Sequence, residues 1–126
     1  GSTTAGLAFS GDVDPGERAL TESWNGSSWT EVNDMNTARD TGTGFGTSSL
    51  SFMVGGAEPS LSAKTEDWNG ASWSEVGDLN TARSAIGSAR SGTTTNGLVF
   101  AGLTPPATGA TEEWSSSSIA SKVLTD

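Results

Sequence analysis

Apolar positions along this chain come in short bursts separated by polar, glycine-rich stretches. "LAFSG" (7–11), "FMVGG" (52–56) and "LVFAG" (98–102) each run for a few residues and stop at glycine. No window repeats its apolar positions at helical spacing over three turns, so the bursts predict buried strands. Downstream of the first two lies a phrase built around tryptophan: "TESWNGSSWTEV" at 21–32 and "TEDWNGASWSEV" at 65–76. Asn25-Gly26 and Asn69-Gly70 in these phrases predict hairpins with tight type I′ turns, because both residue types tolerate positive φ. The stretches "DTGTGFGTSS" (40–49) and "SAIGSARSGTTT" (84–95) each read as one more strand, crowded against neighbours where glycine permits close approach.

The phrases belong to a longer repeat. Residues 21–39 and 65–83 align at an offset of 44 with 14 of 19 positions identical. A decayed third copy, "TEEWSSSS", starts at Thr111, with Trp114 matching Trp24 and Trp68, and Ile119 standing where the second Trp would be. The last Gly of each burst lies 10, 9 and 9 residues before the Thr of the phrase. Three units therefore fit, over about 3–39, 40–83 and 84–126, each read as four short antiparallel strands. The first unit begins directly at its second strand and lacks the innermost one, leaving about 11 strands in total. Four strands per unit of about 40–50 residues is the pattern of a β-propeller blade. One such sheet has two apolar faces and is stable only between like sheets, and Trp fills such gaps well.

The order of residues then resembles the kelch repeat of galactose-oxidase-type propellers. It is carried by Gly55, Gly56, Glu66, Trp68, Trp73 and Arg83, and again by Glu22, Trp24, Trp29 and Arg39. The wording around "NG-SWTEV-DLNTAR" is similar to tandem repeats of predicted phage tail and virion proteins. The resemblance implies an all-β chain of about three four-stranded, kelch-like β-propeller blades. Trp stands for the usual Tyr of the third strand, and the Gly pair is intact in one unit only. A single partial propeller over 1–126 does not close, since rings take 4–8 blades. Its free faces and edges would invite association. Two copies completing a six-bladed ring are the simplest remedy, because two-fold closure is the commonest oligomer symmetry. A larger ring and an open fragment are the alternatives. The tail "SIASKVLTD" is read either as the outer strand of the third blade or as a strand filling the vacant inner place of the first, in its own or a partner chain.

Composition narrows the chemistry. With no Cys, His or Tyr, the chain has no thiol nucleophile, imidazole base, or Cys or His metal ligand. The copper chemistry of galactose oxidase, which the resemblance would bring, lacks its Tyr and His. A net charge of -9 with 6 scattered Lys and Arg argues against a nucleic-acid surface. No apolar run is long enough to cross a bilayer, the start, Gly1-Ser2-Thr3-Thr4, shows no leader pattern, and its "GS" looks like a scar of tag removal.

The remaining candidates are weighed against structural roles. The pairs Trp24/Trp29 and Trp68/Trp73, with Trp114, are sugar platforms or fillers between blades, and recurrence favours filling. Glu22, Glu66 and Glu112 with Arg39 and Arg83 line a channel or form a repeated ion pair, and recurrence again favours the pair. Arg90 stands outside the repeat formula. Asp12, Asp14 and Glu17 surround a plain Asp-Pro-Gly turn without the full calcium-loop pattern. Glu31 with Asp34 and Glu75 with Asp78 are candidate carboxylate pairs for glycosidase chemistry, but they too recur with the repeat. No catalytic, cofactor or metal residue is assigned. The expected role is a non-enzymatic, self-assembling structural or binding module, which the resemblance places in a virion engaged in host recognition. Its expected partner is itself, as a homodimer, with a surface glycan or protein beyond, and neither nucleic acid nor membrane. A lectin-like carbohydrate binder is the alternative, as is an engineered or truncated propeller fragment without activity of its own.

Overall fold

The computed structural model describes residues 1–93, 95–115 and 118–124, the last stretch by its backbone alone. Among the described residues the chain is all-β with no helix, arranged in antiparallel sheets of two to four strands. The first sheet holds β1 (Gly6–Phe9), β4 (Thr21–Trp24) and β5 (Trp29–Val32), in the order β1-β4-β5. Between β1 and β4 the chain makes a small hairpin, β2 (Asp12–Val13) with β3 (Gly16–Glu17). The second sheet runs β6 (Thr43–Gly46), β7 (Ser51–Val54), β8 (Thr65–Trp68) and β9 (Trp73–Val76). The third runs β10 (Gly87–Ser88), β11 (Asn96–Phe100), β12 (Thr111–Ser115) and β13 (Ser118–Leu124). The tail thus pairs with β12 as the outer strand of its own third sheet.

Each apolar burst becomes the strand that pairs with the Trp phrase, in one register repeated through the chain. Glu22 faces Ala8, Glu66 faces Met53, and Glu112 faces Val99. Every burst then ends in two residues with left-handed backbone. These are Ser10-Gly11 (φ 70 and 124), Gly55-Gly56 (61 and 110) and Ala101-Gly102 (58 and 111). The conformation persists although only the middle unit spells it with two glycines. Gly55 has no choice, because a Cβ there would meet Ile86 Cδ1 at 2.4 Å and the Arg83 carbonyl oxygen at 2.7 Å.

The Trp hairpins differ from the tight turn expected of Asn-Gly. Asn25 and Asn69 stay at negative φ, and only Gly26 (φ 98) and Gly70 (φ 95) are left-handed. Four residues separate the strands, and the Asn side chain closes the loop. Asn69 Oδ1 accepts from the backbone N–H of Ala71 and Ser72, both at 2.9 Å, and Asn25 Oδ1 does the same for Ser27 and Ser28 at 2.9 and 3.0 Å. The side chain imitates a backbone turn, so Asn need not become left-handed.

Successive side chains point to opposite faces of a strand, and the three sheets use this to stack. One core cluster joins Met53, Trp68 and Trp73 of the second sheet to Leu7, Phe9 and Val32 of the first, with Met35 between. The other joins Val99 and Trp114 of the third sheet to Phe52, Val54 and Val76 of the second, with Leu79 between. Met35 and Leu79 occupy the same place in their units, so the two seams are built alike. The edge strands β6 and β10 also meet, where Thr43 Oγ1 donates to Ser88 Oγ at 2.8 Å.

Candidate functional site: two inter-sheet clamps and two open faces

The segment after each Trp phrase crosses to the next sheet and grips its glutamate. Asn36 donates its backbone N–H and its amide Nδ2 to Glu66 Oε2 at 2.7 and 2.9 Å. Arg39 Nη1 donates to Glu66 Oε1 at 2.6 Å, while Nε reaches the Gly55 carbonyl at 3.0 Å and Nη2 the Met53 carbonyl at 3.3 Å. Both charged side chains are fully buried. In the next seam Asn80 donates backbone N–H and Nδ2 to Glu112 Oε2 at 2.7 and 3.2 Å. Arg83 Nη2 pairs with Glu112 Oε1, and Nη1 reaches the carbonyls of Ala110 at 3.0 Å and Ala101 at 3.3 Å. The left-handed residue ending each burst presents the carbonyl that the arginine takes, Gly55 in one seam and Ala101 in the other. Burying an ion pair costs desolvation on both sides, and these carbonyl and amide partners are what offset it.

Tryptophan fills the remainder of the seam. Trp68 and Trp73 lie opposite each other across β8 and β9, ring centroids 5.5 Å apart, and both are buried. Trp73 meets Phe9 of the first sheet edge-on at 4.8 Å, and its indole N–H donates to Thr21 Oγ1 at 3.0 Å. Phe9 and Thr21 are themselves cross-strand partners, so together they form a seat for an incoming indole. In the second seam Trp114 packs on Phe52 at 5.0 Å. The register of β12 with β13 shifts between Glu113 and Ser115, where the third phrase has lost its Asn-Gly and second Trp. The surroundings of Ile119 lie outside the described residues. Thr65, the counterpart of Thr21, has no hydrogen-bond partner for its buried hydroxyl among the described residues.

At the two ends of the stack the same surfaces are open. Trp24 and Trp29 pair at 5.4 Å like their counterparts, yet Trp29 is 50% exposed where Trp73 is 5%. Glu22 and Glu31 face each other across β4 and β5 on this side, and both are exposed. At the far end, β11 leaves Leu98 37% and Phe100 43% exposed. Phe100 is the cross-strand partner of Thr111, as Phe9 is of Thr21.

Arg90 lines a cleft of about 540 Å³ between the sheets, with Phe9, Thr43, Phe45, Ile86 and Phe100 around it. The hairpin acids Asp12 and Glu17 face each other across β2 and β3. Among the described residues no group of three or more Asp or Glu could hold a metal ion. Glu75 sits exposed opposite the buried Glu66. Asp67, on β8, has its carboxyl raised above the usual 3.8 by burial, opposed by its own backbone hydrogen bond. Sequence reasoning missed Asn36 and Asn80, although both recur in "NTAR" with the arginines. No family model and no curated protein matches this chain.

Proposed function

We propose that this chain is a self-assembling structural and binding module. Its three sheets are read as kelch-like blades of a β-propeller, two copies completing a six-bladed ring. The carrying observation is the contrast between Trp29 and Trp73, one phrase with two fates. Trp73 is seated on Phe9 and Thr21 of the preceding sheet, while among the described residues no sheet covers Trp29, which is half exposed. The matching seat, Phe100 with Thr111, stands open on the third sheet. A second copy placed head to tail brings the open seat and the open indole together. Two such junctions close a ring, and contiguous apolar patches of this kind mark protein interfaces.

The resemblance to phage tail and virion repeats supports a role in a virion, where a ring of this type displays its loops to a host surface. The chemistry left by composition, carboxylates and hydroxyls without His, Cys or Tyr, supports a non-enzymatic reading. Light scattering and sedimentation over a range of concentrations test it. The expected result is twice the chain mass, with a melting temperature that rises with concentration. A monodisperse monomer at all concentrations would overturn the assembly. Saturable glycan binding that depends on Trp29 in that monomer would support the lectin-like reading instead.

A further inference from the structure

Two of the three repeated glutamates are gripped, and the third is not. Glu66 and Glu112 each receive an Asn-Thr-Ala-Arg segment, at 36–39 and 80–83. Glu22 is their counterpart by register, opposite Ala8 as Glu66 is opposite Met53. Among the described residues nothing donates to its carboxylate, and it is exposed.

The rest of the socket is nevertheless in place. Ser10 has φ 70, matching φ 61 at Gly55 and φ 58 at Ala101, the two residues whose carbonyls accept from the arginines. A cleft of about 420 Å³ opens here, lined by Ala8, Ser10, Gly11, Arg18, Leu20 and Glu22. Ala8 is smaller than Met53 and Val99 at the same register, which leaves room. Arg18 lines the cleft but forms no ion pair with Glu22.

We infer that the Glu22 face is a binding site for an Asn-Thr-Ala-Arg segment, preceded by an apolar residue, supplied by another polypeptide. The same carboxylate position binds that segment twice within this molecule, in both cases with Asn on one oxygen and Arg on the other. A second folded copy is not the source, because both of its own segments are engaged. Glu22 and Trp29 lie on the same face, so a second copy seated there would compete with the segment for it. Charge favours it: Glu22 and Glu31 make the face acidic, and a guanidinium is the group that forks onto a carboxylate.

The test uses the full chain and a blocked synthetic peptide of residues 34–39, "DMNTAR", titrated by calorimetry and by amide chemical shifts, with mass followed in parallel. Saturable one-to-one binding is expected, with shifts centred on Ala8, Ser10 and Glu22. Replacing the peptide Arg by citrulline, and separately Glu22→Gln in the protein, should each weaken binding at least about tenfold, as loss of a charge-assisted hydrogen bond does. Glu113→Gln, an exposed change on the opposite face of the same stack, should leave it unchanged. No saturation at millimolar peptide with the chain dilute enough to be monomeric, or binding indifferent to Glu22→Gln and to citrulline, would overturn the inference. A chain that remains monomeric but binds the peptide in this way would sink the ring and keep the socket.

Discussion

Arg39 and Arg83 hold their guanidinium groups almost wholly out of water, and each is compensated by a buried carboxylate and two or more carbonyls or amides. Such a pair contributes modestly to net stability, but removing one partner strands the other as an uncompensated buried charge. Arg39→Ala should therefore destabilise the chain by about 3–5 kcal/mol in urea unfolding. Glu22→Gln, the same residue type where the partner is missing and water is present, should change stability by no more than about 0.5 kcal/mol. Asp67 carries the opposite sign. Its carboxyl is raised above 3.8 mainly by burial, so the stability it contributes is fully present below that pH and is lost as pH rises through the folded value. Asp67→Asn should raise the melting temperature at neutral pH and leave it unchanged near pH 3. Equal effects at both would show that its charge is not the cause.

Among the strands and turns, small residues and aromatic rings are interlocked. Gly97 on β11 lies opposite Trp114, and a Cβ there would come within 2.4 Å of the Phe45 ring carbon Cζ from the neighbouring sheet. A Cβ at Gly44 on β6 would come within 2.6 Å of Phe9 Cζ. These glycines are negative-space residues: their missing side chains are where the next sheet's ring sits. Gly97→Ala should cost about 1–3 kcal/mol, the usual range for overpacking, measured as a shift in unfolding midpoint at constant slope. The general reason was legible beforehand, since glycine in a strand signals close approach. Which ring approaches was not, because Phe45 and Gly97 are far apart in sequence. Turn type likewise depends on where the strands pair, since Asn-Gly reads the same in a two-residue or a four-residue loop.

Across the described residues, three like sheets give two closed seams and two open half-seams. The closed seams hold the buried tryptophans and both buried clamps, and the open ones expose Trp29, Leu98 and Phe100. Trp73→Ala should therefore remove about 3–5 kcal/mol from folding, the cost of emptying a large buried site. Trp29→Ala should leave the dilute chain's unfolding nearly unchanged and weaken self-association at least about tenfold, since exposed aromatics at an interface centre carry much of its energy. If both variants lost folding stability equally, Trp29 would be a core residue and the open-face reading would fail.

The repeat, the absence of helical period and the glycine-terminated bursts determined by themselves that the chain is all-β, in short antiparallel strands. Those properties are local: alternation, turn residues and burst length act within a few positions of the chain. Only the tertiary structure decided that Arg39 meets Glu66 and leaves Glu22 of its own unit open, or that one phrase yields a buried Trp73 and an exposed Trp29. Both outcomes depend on which sheet lies against which face. Stacking is a relation between units, and an identical sequence in two units carries no record of its neighbour.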